Sequence, residues 1–93
     1  MNFAVIWAPA AEAELADVVL DDPDPVAVTE AALLIEAALA ENPSEVGDDL
    51  FDTVRVVAYG PLGVEFEVIE SDREVVVLSA WPTAFGSPGA TRN

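Results

Sequence analysis

The sequence contains no cysteine, no histidine and no lysine. Without cysteine there are no disulfides and no thiolate chemistry; without histidine there is no imidazole acid–base catalysis; without both, the usual zinc-ligand sets are gone. No apolar run approaches the roughly 20 residues that a bilayer-spanning helix needs. The apolar start MNFAVIWAPAA lacks a basic segment and reads as a strand, not a signal peptide, so a cytoplasmic location is expected. No cofactor or metal site is expected from this composition.

Positive charge is the scarcest property. Arg55, Arg73 and Arg92 stand against 18 acidic residues, giving a formal net charge of −15 over 93 residues. Such a chain repels phosphate backbones, which disfavours direct nucleic-acid binding. It suits a basic partner surface, a high-salt cytoplasm that screens self-repulsion, or deliberate supercharging. The 53% hydrophobic content is nonetheless that of a folded chain. The length allows one domain with one modest core.

Periodicity then sets out the elements. Asn2 to Ala8 reads as a strand, and Pro9 suits the first turn of a following helix. Ala11, Leu15, Val18 and Val19 recur at helical spacing up to DDPDP, where two prolines stop the helix. Asp24 is a natural N-cap and Pro25 a natural N1 residue for a second helix, with Val28, Ala31, Ala32, Ile35, Ala38 and Leu39 on one face up to ENP. The short link between them predicts an antiparallel helical hairpin. Pro43 to Asp52 reads as a polar connection, and TVRVVAY, GVEFEVI and EVVVLSAW as three strands. The expected architecture is α+β, β-α-α-β-β-β, with an antiparallel sheet and the helical hairpin packed on one face. Residues 1–81 form the domain, and 82–93, rich in Pro, Gly and small polar residues, read as a flexible tail.

Register can also be read. If Val64, Phe66 and Val68 face the helices, a three-residue loop Gly60-Pro61-Leu62 pairs them with Ala58, Val56 and Val54. Arg55 then lies opposite Glu67 on the other face, while a slip that set Arg55 against the core would bury a charge. The turn after Ile69 leaves two choices for the last strand: Val76, Leu78 and Ala80 inward, or Val75, Val77 and Trp81.

The opening VIWAPAAEAELADVVLDDPD, the hairpin around RVVAYGPLGVEFEVIE and the segment SDREVVVLSAW together resemble the RelE/ParE superfamily, the toxins of type II toxin–antitoxin modules, over residues 2 to 81. The resemblance implies the same element order and a cognate antitoxin that wraps the toxin with an otherwise disordered segment. It implies one of two activities: ribosome-dependent mRNA cleavage with basic residues and often a late tyrosine, or poisoning of DNA gyrase. Arg55 matches the arginine such proteins carry before the PLG turn, and Arg73 sits in a turn where they often have one. The chain departs from the cleavage pattern in having no lysine and no tyrosine after Tyr59. Activating a 2′-hydroxyl and stabilising a phosphorane requires an acid, a base and cations, so protein–protein contact is the expected mode of action. A non-toxic acidic binding module on the same fold is the alternative, and an mRNA endonuclease the second alternative.

The candidate contact residues are Arg55, Tyr59, Glu65, Glu67, Arg73 and Trp81, facing an antitoxin or another basic protein; a homo-oligomer stays open. Each also has a plainer reading. Glu65 and Glu67, two apart on a strand and about 7 Å from each other, have the spacing of a carboxylate pair, yet alternating Val and Glu describes any half-exposed strand. Arg55 could form a cross-strand ion pair with Glu67, Arg73 a turn charge beside Asp72, and Trp7 and Trp81 ordinary packing. Asp21, Asp22 and Asp24 lack the glycine and distal glutamate of a calcium loop and serve better as helix stop and N-cap.

Overall fold

The computed structural model describes residues 2–83. Strand β1 (Ala4–Trp7) leads into helix α1 (Pro9–Asp21) and helix α2 (Pro25–Glu41). Strands β2 (Asp48–Phe51), β3 (Val54–Tyr59), β4 (Leu62–Ile69) and β5 (Glu74–Pro82) follow, with single 3-10 turns at Pro43–Glu45 and Glu70–Asp72. The five strands form one sheet in the order β1-β5-β4-β3-β2. Four run as an antiparallel meander, and β1 joins β5 in parallel, so the sheet is mixed.

The helix ends follow from the residues that mark them. Pro9 occupies the first turn of α1, where its missing N–H has no intrahelical role. Asp24 caps α2: its carboxylate accepts the Ala27 N–H at 3.2 Å, and Asp22 in turn accepts the Asp24 N–H at 2.8 Å. One face of each helix meets the sheet. Ala11 and Val18 from α1, and Val28, Ala31, Ala32, Ile35 and Leu39 from α2, pack on Leu62, Val64, Phe66, Val68, Val75, Val77 and Ala80. Among these Phe66, Ile35, Leu39 and Leu62 are fully buried.

β2 forms where the sequence suggested only a connection. All four of its residues are exposed, so no alternation marks it. It pairs with β3 through a two-residue turn, in which Asp52 takes a left-handed φ of 47°, a conformation that aspartate tolerates better than most residues.

The β3–β4 register differs by one residue from that expected. Tyr59 pairs with Leu62 across a two-residue Gly60-Pro61 turn, with Gly60 at a φ of 54°. Leu62 is therefore core, not loop. Arg55 lies opposite Phe66, and Val54 opposite Glu67. Val57 and Tyr59 now point to the helix side and pack against the core. Arg55 shares that face near the strand's start, where backbone carbonyls and a carboxylate receive its charge.

β5 combines both of its possible inward sets. Ile69 pairs with Glu74 across a four-residue turn, which sends Val75 and Val77 inward. Leu78 is then left out of the pairing between Phe66–Val77 and Glu65–Ser79. This bulge shifts the alternation, and Ala80 becomes the next core residue. The Glu14 carboxylate on α1 accepts the Ala80 N–H at 2.9 Å just beyond it. The strand continues through Pro82, and Thr83 N–H donates to the Pro61 carbonyl. The expected flexible tail otherwise falls on residues 84–93, outside the described residues.

Candidate functional site

The helices cover one face of the sheet, and the opposite face is the natural place for a working surface. Cross-strand partners share a face, so the pairings define it. Val54, Glu67 and Val76 form one row; Val56, Glu65 and Ser79 the next; Ala58, Gly63 and Trp81 the third.

Both glutamates already hold a neutral partner. Ser79 Oγ donates to Glu65 at 3.0 Å, and Thr53 Oγ1 donates to Glu67 at 2.9 Å. A hydroxyl offers one donor, whereas a carboxylate has about four acceptor positions. Each glutamate thus keeps spare acceptor capacity toward solvent. Trp81 lies across Gly63, and its indole occupies the space that a Cβ at position 63 would need. Glycine there is what lets the indole lie against the strand.

Arg55 does not pair with Glu67, as the sequence suggested. Its Nε donates to the Val46 carbonyl and its Nη2 to the Gly47 carbonyl, both at 2.9 Å, and Nη1 pairs with Asp49. Only 16% of its side chain is exposed. The guanidinium fork ties β3 to the chain entering β2, a geometry that a lysine ammonium would not reproduce. It borders a depression of about 160 Å³ shared with Asp49, Asp52 and Glu70. An incoming phosphate would meet those carboxylates around a cation that is already paired.

The remaining candidates lie apart. Tyr59 is on the helix-covered side and, with Ala27, Leu34 and Pro61, lines a shallow groove beside α2. Arg73 closes the turn before β5 with a φ of 51°, and its guanidinium sits 4.8 Å from the centre of the Phe3 ring. Of the six candidates, Glu65, Glu67 and Trp81 share the open face; Arg55, Tyr59 and Arg73 do not. Sequence reasoning missed Asp49, Thr53 and Ser79 as polar partners. It also missed the bond from Trp7 Nε1 to Glu36, 2.6 Å long, which joins β1 to α2. The Phe51-Asp52-Thr53-Val54 turn signal was the available clue to Asp49 and Thr53.

The solved structures that match this architecture include two from toxin–antitoxin assemblies. The toxin–antitoxin complex RelBE2 from Mycobacterium tuberculosis matches at a TM-score of 0.74 and 16% identity, covering 90% of this chain and 94% of the matched one. At this identity the likeness is one of fold. The chromosomal ParDE toxin–antitoxin system from P. aeruginosa matches at a TM-score of 0.65 and 16% identity, covering 87% of this chain and 96% of the matched one. No protein-family model and no curated protein matches the sequence. The RelE/ParE resemblance read from the hairpin motifs therefore holds at the level of fold, over nearly the full length of both chains. Among the described residues, no helix is long and apolar enough to cross a membrane.

Proposed function

We propose that this chain is a toxin-fold component of a toxin–antitoxin module that acts by protein–protein contact, including gyrase-type inhibition, and does not cleave RNA. The observation that carries this reading is the open sheet face. Where RNA cleavage would need cations to stabilise a phosphorane, the face presents Glu65 and Glu67, each bonded to a hydroxyl. The two arginines among the described residues are engaged elsewhere, Arg55 with the β2 entry and Arg73 with Phe3. The net charge of −15 adds repulsion on any approach to RNA. Both fold neighbours come from toxin–antitoxin assemblies, which supports an antitoxin as the basic partner.

Induced expression tests the reading. Growth arrest relieved by a co-expressed cognate partner, with loss of supercoiling activity when the purified chain is added to gyrase, is the expected result. Vigorous growth at high soluble expression would overturn the toxin assignment and leave an acidic binding module on the same fold.

A further inference from the structure

A groove of about 440 Å³ lies between the second half of α1 and the end of β5, away from the open sheet face. Val18, Ala80 and Pro82 give it an apolar floor, and Glu14, Asp17, Asp21 and Asp22 line its rim. Among the described residues, no basic side chain lines it.

The rim runs against helix electrostatics. The C-terminal end of a helix carries partial negative charge and favours cations. The last turn of α1 has no basic residue, while Asp21 ends the helix and Asp22 caps it. Glu14, Asp17 and Asp21 follow at intervals of three and four residues, which puts them along one side of α1. Glu14 accepts the Ala80 N–H and Asp22 the Asp24 N–H, and the helix stop requires only the prolines that follow, so Asp17 and Asp21 are the rim charges that do not serve the fold. Local rules broken without a compensating gain tend to mark function.

We infer that this groove docks a cationic, apolar-tipped segment of a partner protein, its apolar side chain on Val18, Ala80 and Pro82 and its basic residues against the rim. Charge complementarity selects this occupant. A second copy of a chain with net charge −15 would bring like charge to like. A single ion fits poorly, since among the described residues no three acidic side chains converge as metal ligands. The inference deepens the proposed function by placing its basic partner, yet it is measured as binding, independently of toxicity.

The probe is a fluorescein-labelled amphipathic peptide of 14 residues built from Leu, Ala and Arg, read by fluorescence anisotropy with the full chain at low salt. A peptide with Glu in place of Arg is the control. The expected result is binding of the Arg peptide only, weakened about tenfold by Asp17→Asn with Asp21→Asn, through loss of two short-range charge contacts. Pro82→Trp, which fills the groove and keeps its charges, weakens it to a similar degree. Glu30→Gln with Glu41→Gln, a matched loss of charge on α2, changes binding less than about twofold. Equal weakening by the two charge pairs would reduce the effect to general attraction and overturn the inference. So would unchanged binding in Pro82→Trp. Dimer formation abolished by Pro82→Trp would give the groove to a second copy. At least tenfold tighter binding after Phe85→Ala with Arg92→Ala would give it to the chain's own C-terminal residues. Growth arrest without peptide binding would sink this inference alone; peptide binding without growth arrest would sink the toxin reading alone.

Discussion

The two faces of β4 hold alternate residues of one strand under opposite demands. Toward the helices, Leu62, Val64, Phe66 and Val68 are buried among side chains of α1 and α2. Toward solvent, Glu65 and Glu67 meet only a serine and a threonine hydroxyl. The covered face is constrained by volume, since its side chains are buried in a close-packed core. On the open face Gly63 is held by the Trp81 indole, while the positions of Glu65 and Glu67 are free to carry whatever charge the function needs. The fold can therefore be specified by one half of the strand while the other half carries acidic residues.

Substitutions on the two faces should separate sharply. Phe66→Ala, at a fully buried position, is expected to cost about 3–5 kcal/mol in chemical denaturation. A loss near that of a surface site would break the contrast. Gly63→Val should cost about 2–3 kcal/mol although it lies on the open face, because the new side chain displaces the Trp81 indole. A red-shifted tryptophan emission should accompany it, and an unchanged spectrum would mean the indole does not depend on that glycine.

Arg55→Ala is expected to cost about 2 kcal/mol by leaving the Val46 and Gly47 carbonyls and Asp49 without their donor. Amide exchange should rise first in β2, and Arg55→Lys should recover little of the loss. Full recovery by lysine would show that charge alone matters there. Glu67→Gln and Glu65→Gln should each stay within about 0.5 kcal/mol of the parent. A larger loss at either would make the open face structural and remove the contrast between the two sides.

Much of the covered face was readable in the residues. Pro9, Asp24-Pro25 and Asn42-Pro43 set the helix limits, and the positions assigned inward on α2 are buried, with Ala38 half-buried. The α+β architecture, with its helical hairpin on one face of the sheet, followed from the order of periodicities. What stayed illegible depends on contacts between distant segments. β2 has four exposed residues and no alternation, so only its pairing with β3 defines it. Treating Leu62 as loop shifted the β3–β4 register by one residue. That choice seemed sound because it kept Arg55 away from the core. The structure instead surrounds the charge with acceptors from residues 46, 47 and 49. The bulge at Leu78 made both inward patterns for β5 locally correct, and no short window of sequence reveals a bulge that a glutamate on α1 helps to hold. On the open face, Glu65, Glu67 and Trp81 were found together, while the hydroxyl partners were not.

The central proposal is that this chain acts through its surfaces and not by cutting RNA. Its most direct test is the integrity of messenger RNA in a culture whose growth the induced chain has arrested, mapped by primer extension across translated messages. The account predicts arrest with full-length transcripts. Arrest accompanied by new cleavage ends within codons would contradict it.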